Sequence, residues 1–318
     1  MKSKLYMLDS QAQKSVVTPI KYSNLYPWIK RTIKSSRRYY TQNQREISIN
    51  RIIRQIFPNL KEPIFIVGAP RSGTTFLGEC LAVIPEISYH FEPVISKAAA
   101  RYVYEKRWTQ KKSAQFYRIV YSWLMRIHFD ADLRFAEKTP RNCFLIDFLI
   151  DTFPDAKFLH IVRDGRDVAL SHSKKPWFKK SEANSNKREP GGYLYGPYAQ
   201  FWVEADRIRE FEATSDIHRC IWSWRRFTEE AINSLSRVSQ NQFIEIRYET
   251  LLTHQQDTAK KVLDFLEISS PKSQTLFLEA ANTANPNLIG QWQHELTAAQ
   301  LCEIEKEAGD LLQKLGYS

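Results

Sequence analysis

The four cysteines, Cys80, Cys143, Cys220 and Cys302, stand singly, with no CxxC pair and no paired histidines beside them, which excludes a zinc site and a disulfide framework. No run of eighteen apolar residues occurs, and the segment MKSKLYMLDSQAQKSVVTP lacks an apolar signal core. The apolar stretch from Cys143 to Ile150 is broken by Asp147 and is too short to span a bilayer. A soluble, cytoplasmic protein without a transmembrane segment is therefore expected. Internal repeats and composition breaks are also lacking. A chain of 318 residues with 43% hydrophobic content then suits one large α/β core, expected over residues 61–318 behind a basic, partly helical N-terminal arm at 1–60.

Charge is not lacking, but it is local. The formal excess of +11 is accounted for by two clusters. Residues 30–54 carry eight bases against Glu46, and residues 174–188 carry six against Glu182. The rest of the chain is near neutral, as for an enzyme with a local anion site rather than a protein that coats a nucleic acid. Each cluster reads as a solvated face or loop, or as a surface for an acidic acceptor or a membrane, so peripheral membrane contact through the arm stays open.

Within the arm, Ile47, Ile49, Ile52, Ile53 and Ile56 predict a helix around Gln44 to Phe57. After Pro63, the run Ile64 to Val67 is continuously apolar, as a central parallel strand is when helices cover both faces of its sheet. A helix is expected from Thr74 to Ile84, a short extended segment at Ile87 to Glu92, helical patterns over 96–128 and a third extended segment at Arg134 to Glu137. Beyond these come a helix from Asn142 to Phe153, a buried strand at Lys157 to Val162 and a helix from Asp164 to Ser173. A strand at Phe243 to Arg247 precedes a helix from Thr250 to Leu266, and helices at 272–281 and 297–314 end before Gly316. This order predicts a three-layer, doubly wound α/β fold with a parallel sheet. Residues 174–198, rich in Gly and Pro punctuation, read as a long loop, and loops of that length are often lids.

The segment PIFIVGAPRSGTT, from Pro63 to Thr75, joins a buried strand to a helix through a loop whose backbone N–H groups and helix dipole converge on one point. That arrangement suits a phosphate. Gly68 and Gly73 have the spacing of a Walker A loop, but Thr74 stands where that motif has lysine, and the cation has moved to Arg71. The loop resembles the 5′-phosphosulfate loop of PAPS-dependent sulfotransferases, which have a P-loop-like fold, and it looks closest to a bacterial group related to the protein-tyrosine sulfotransferases. The resemblance implies that Arg71, Ser72, Gly73, Thr74 and Thr75 hold the 5′-phosphosulfate. In the family a strand-ending arginine, with a serine eight positions later, binds the 3′-phosphate. FLHIVRDGRDVALSHS supplies Arg163 and Ser171 in that arrangement.

Sulfuryl transfer needs a base for the acceptor proton and positive charge at the leaving phosphate, with no metal required. Glu92, in SYHFEP, resembles the family's glutamate base, and His90 is the rival because strand alternation puts it on the same face. Lys138, in FAEKTPRN, resembles a lysine placed on the donor's bridging oxygen, with Arg141 and Asn142 in reserve. IRYETLL resembles the passage that brings Tyr248 to the nucleotide, and NLIGQWQHELT a closing loop that includes Trp292. That loop departs from the hormone and phenol sulfotransferases, which have an RKG motif where this chain has Asn287 to Gln291. The expected reaction moves a sulfuryl group from PAPS to a hydroxyl or amine and releases PAP. The acceptor could be a carbohydrate, an aryl or lipid alcohol, or a peptide, and Trp177, Tyr193, Tyr195 and Tyr198 could stack on it. The rivals are a P-loop phosphotransferase or nucleotidase and a catalytically inactive nucleotide-binding partner or membrane-surface protein.

Overall fold

The structure is a computed structural model that describes residues 17–20, 25–40 and 49–317. The rest of the expected N-terminal arm, including Ile47 of its predicted helix, lies outside the described residues.

Five parallel strands form one sheet: β1 (Ile64–Val67), β2 (Ile87–Phe91), β3 (Arg134–Lys138), β4 (Lys157–Val162) and β5 (Phe243–Arg247), in the order 2-3-1-4-5. The helices are α1 (Leu25–Tyr40), α2 (Ile49–Arg54), α3 (Thr74–Ala82), α4 (Val94–Tyr104), α5 (Gln110–Ile127), α6 (Ile146–Thr152), α7 (Gly165–Ser173), α8 (Ile208–Ala213), α9 (Asp216–Leu235), α10 (Tyr248–Thr253), α11 (Gln255–Phe265), α12 (Pro271–Ala281), α13 (Trp292–Glu295) and α14 (Ala298–Lys314). They cover both faces, which gives the three-layer P-loop-like architecture.

Strand alternation explains why β1 must be apolar throughout. Phe65 and Val67 enter one core with Phe158, Val162 and the aromatic side chains of α5 and α9, while Ile64 and Ile66 enter the other with Leu159, Ile161 and the apolar faces of α3 and α11. All four β1 residues are fully buried. Phe65 is the hub of the first core, with ring centroids 5.6 Å from Phe158, 6.0 Å from Phe153 and 6.1 Å from Tyr121.

The structure departs from the sequence expectations in four places. A helix was not expected at α1, where Leu25, Trp28, Ile29 and Thr32 form a buried stripe; Thr32 Oγ1 accepts from the Ile95 amide at 3.1 Å. The predicted helix at 44–57 is described as the short α2, and its Ile49, Ile52, Ile53 and Ile56 are exposed. The helix expected from Asn142 begins instead as a 3₁₀ turn, Pro140–Phe144, because Pro140 lacks an amide and Thr139 stays extended. The 20-residue α9 was not anticipated at all; Ser215 caps it by accepting from the His218 amide at 3.1 Å.

The loop at 174–198 has no long helix but is not free chain. Its Val17↔Tyr193 bridge and the Thr18 amide on Gly192 O at 3.0 Å fasten it to the N-terminal segment. Its Lys180 amide donates to Asp216 at the start of α9 at 2.9 Å.

A candidate active site at the carboxyl ends of the strands

The loop between β1 and α3 lies at the carboxyl end of the central strand, where doubly wound sheets bind ligands. Gly73 has φ 90° and precedes α3 with no side-chain cap, so the first amides of the helix remain available. A Cβ at Gly73 would lie 2.2 Å from the Tyr248 ring, so both its conformation and its neighbour require glycine. Arg71 also adopts a left-handed φ of 74°, a strained conformation for a non-glycine residue. Beneath the loop, the Gly68 amide donates to Cys143 Sγ at 3.2 Å. Ser72 is buried, and its hydroxyl has no hydrogen-bond partner. An unpaired buried hydroxyl is costly, and an anion seated on the helix amides would satisfy it.

The two expected arginines meet here. Arg71 Nε donates to Ser171 Oγ at 3.2 Å, and Arg163 Nη1 donates to Arg71 O at 3.3 Å. Burial, followed by the Arg163 charge, lowers the pKa of Arg71. The Arg163 guanidinium lies 4.3 Å from the Tyr248 ring centroid, and its buried Nε is unpartnered. The loop before α13 closes over this pair. Leu288 O accepts from Arg163 at 2.6 Å, and Asp167 accepts from the Gly290 and Trp292 amides at 2.8 and 3.1 Å. Trp292 is half-buried, with the Arg166 guanidinium 3.8 Å from its ring centroid. Thus Arg71 through Thr75, Arg163, Ser171 and Tyr248 converge on one cleft.

Glu92 sits just after β2 in a left-handed conformation, φ 36°. Its Oε1 is 2.5 Å from Lys138 Nζ and its Oε2 is 2.7 Å from Lys97 Nζ. Burial opposes the carboxylate's charge, but the two ammonium groups outweigh it and hold Glu92 well below the usual carboxylate range. Lys138 is almost fully buried, with Nζ 4.2 Å from the Phe91 ring centroid; burial pulls its pKa down and Glu92 opposes that. Lys97 continues the chain to Glu189 at 3.6 Å, and Glu189 pairs with Arg141. Charges therefore alternate from Lys138 through Glu92, Lys97 and Glu189 to Arg141, tying the strand ends to the 174–198 loop.

His90 takes another direction. Because Glu92 leaves the strand with positive φ, the alternation that would pair the two side chains ends at Phe91. His90 stacks on Phe135 at 4.9 Å, lies 3.0 Å from Ser88 Oγ, and is driven far below the ordinary histidine range by burial and then by His128. Asn142 also turns inward, donating to the buried Glu137 at 2.7 Å. Of the four loop aromatics, Trp177 lines the neighbouring cavity. Tyr193 packs under Arg141, and the Tyr198 hydroxyl bonds Ala183 O.

That cavity, of about 310 Å³, opens beside Arg71, Thr75 and Glu92. A larger hollow of about 810 Å³ lies at the other edge of the sheet, beside Leu60 and Asp155 at the amino ends of β1 and β4. Three residues at the near cavity, Lys97, His172 and Glu189, carried no motif of their own. His172 follows Ser171 directly and was legible as its neighbour; Lys97 and Glu189 are joined to the site only through tertiary contact.

Comparison with known proteins gives the chain's family. A sequence model described as the sulfotransferase family matches residues 63–272, well over half of the chain. The chain is 24% identical over 218 residues to protein-tyrosine sulfotransferase A of Caenorhabditis elegans, covering 64% of this chain and 50% of that one. It is 25% identical over 218 residues to the protein-tyrosine sulfotransferase of Drosophila melanogaster, covering 64% and 38%. The alignments thus span half or less of those relatives. Among solved structures, a sulfotransferase from Mycobacterium avium shares the fold with a TM-score of 0.52 at 10% identity, covering 94% of this chain and 86% of that one. Among the described residues, no helix is long and apolar enough to cross a membrane. The family match contains the phosphate loop, Glu92, Lys138 and the Arg163–Ser171 pair, and the chain belongs to the sulfotransferase family.

Proposed function

We propose that the chain is a PAPS-dependent sulfotransferase that releases PAP and uses Glu92 as the base. The observation that carries this reading is the position of Glu92, ionised between two lysines at the mouth of a cavity that begins at the phosphate loop. The residues present fit the donor. The uncapped amides of α3 and the Ser72 hydroxyl would receive the 5′-phosphosulfate, and Arg163 with Ser171 the 3′-phosphate.

In the proposed step the acceptor oxygen attacks sulfur in line. The O–S bond forms as the bond from sulfur to the bridging oxygen breaks, its electron pair passes to the 5′-phosphate, and the acceptor proton goes to Glu92. Arg71 and Lys138 balance the charge on the departing phosphate. Sharing Lys138 between Glu92 and the bridging oxygen would weaken its hold on Glu92 and raise the basicity of the carboxylate when the donor is present.

Incubation with ³⁵S-labelled PAPS and a mixed acceptor library tests the reading. Glu92→Gln is expected to lower kcat by about 10²–10⁴-fold while leaving PAP binding largely intact. Arg71→Ala is expected to weaken both donor binding and turnover. Labelling that neither substitution reduces would show that the site is assigned wrongly.

A further inference from the structure

The cavity beside Glu92 holds two kinds of side chain. Four of its charged members are matched to one another, Glu92 to Lys97, Lys97 to Glu189 and Glu189 to Arg141, and the fifth, Arg71, lies at the loop assigned above to the donor's phosphate. The remaining wall is aromatic, with Trp177 and Phe178 from the loop, Trp202, and Phe227 from α9. Two polar atoms stand apart from both groups. His172 and Ser223 line the cavity at 2% and 1% exposure, and neither His172 Nδ1 nor Ser223 Oγ has a hydrogen-bond partner. A buried unpaired polar atom disfavours the folded chain, and two of them on residues that line one aromatic cavity mark where a ligand's polar group would find partners.

Resting on the sulfotransferase reading above, we propose that the acceptor is a small, uncharged aryl alcohol. Its ring lies among Trp177, Phe178, Trp202 and Phe227, and a second polar substituent is hydrogen-bonded by Ser223 Oγ and His172 Nδ1. The reacting hydroxyl then points to Glu92, Arg71 and Thr75 at the open end.

Size, charge and shape each support this choice. At about 310 Å³ the cavity is at the lower end of the roughly 300–1,000 Å³ usual for ligand sites. The Glu189–Pro190 part of its wall is held by Arg141 and Lys97, and the adjoining Gly192 by Thr18, which restrains the cavity from widening around a polypeptide. With the donor's phosphate on Arg71, an added charge on the acceptor would enter a set of side chains whose ionic partners are already taken. Burial, and then the neighbouring Arg71, push the His172 imidazole down to about 3, so at neutral pH it is uncharged and can serve a neutral ligand.

The test compares full-length wild type and Ser223→Ala with PAPS and four acceptors: a phenol with a neutral polar para substituent, unsubstituted phenol, 4-hydroxybenzoate and a tyrosine-containing peptide. Wild type should transfer to the neutral substituted phenol with kcat/KM about tenfold or more above the carboxylate and the peptide. Ser223→Ala should raise KM for the substituted phenol about 3–10-fold, the loss of one hydrogen bond, with little change for unsubstituted phenol and none in PAP affinity. The unchanged PAP affinity also reports that the variant is folded. Preferred transfer to the peptide or the carboxylate, or a KM change equal for both phenols, would overturn the aryl-alcohol inference and leave the sulfotransferase reading standing. Absence of transfer to these and to the wider acceptor library would overturn both.

Discussion

The alternating chain of charges should be a structural clamp as well as part of the site, and Glu189→Gln tests that directly. Glu189 brings the only carboxylate shown to pair with Arg141 among the described residues and the second carboxylate on Lys97. The Arg141 and Glu189 side chains are 4% and 10% exposed, so solvent replaces little of what is lost. Removing one member of a buried pair costs ~3–5 kcal/mol. Glutamine keeps some hydrogen bonding, and Gln200 lies 3.4 Å from Arg141, so the lower part of that range, ~3 kcal/mol, is expected. At about 2 °C per kcal/mol for a protein of this size, Tm should fall by about 6 °C. Denaturant titration of wild type, Glu189→Gln, Arg141→Met and the double variant forms the cycle. The double variant should recover ~1–2 kcal/mol of the summed losses, since the uncompensated charge is gone. A loss below ~0.5 kcal/mol for Glu189→Gln, or strict additivity, would refute the clamp.

Gly73→Ala should cost ~1–3 kcal/mol and weaken PAP binding about tenfold or more, because its Cβ collides with Tyr248 at a φ of 90°; wild-type affinity by calorimetry would contradict this. Phe65→Ala should lower stability by ~3–5 kcal/mol without moving the pH profile of turnover, as expected for the hub of a core. Glu307 links α14 to Arg207, Arg225 and His218. Burial opposes its charge, but hydrogen bonds from those partners bring it to about 2, below its unfolded value of about 4.3. Its stabilisation is therefore present above pH ~4.3 and is lost as pH falls toward 2, and Glu307→Gln should flatten that part of the stability curve in acid denaturation.

The sequence carried the sheet and the glycine-bounded loop after β1 well, for local reasons. A parallel strand buried on both faces is apolar at every position, so β1 and β4 declare themselves, and a glycine-bounded turn into a helix has few other uses. The loop before α13 was also readable, although the bonds from Asp167 to its amides were not. What escaped was set by tertiary contact. In α9, Ile217, Ile221, Trp224, Phe227, Ala231 and Leu235 keep helical spacing, but Arg219, on the far side of the helix from Ile217, is also fully buried, donating to Phe178 O at 2.9 Å, so polar residues in the sequence did not mark a solvent face. In α1 the basic residues hid a stripe carried by Leu25, Trp28, Ile29 and Thr32. His90 and Glu92 looked like neighbours on a strand face, and the positive φ at Glu92 separates them. Lys97 and Glu189 lie ninety-two positions apart and meet only in the folded chain.

The central claim is that the cleft is built for a nucleotide with phosphates at both the 3′ and 5′ positions. Calorimetric binding of PAP, of 5′-AMP and of ATP with magnesium to wild type, Arg71→Ala and Arg163→Met measures it most directly. The account predicts that PAP binds at least about tenfold more tightly than either comparator, and that each arginine substitution weakens PAP about 10–100-fold, the loss of one charge-assisted contact. ATP with magnesium binding as tightly as PAP, or PAP binding that survives both substitutions, would contradict it.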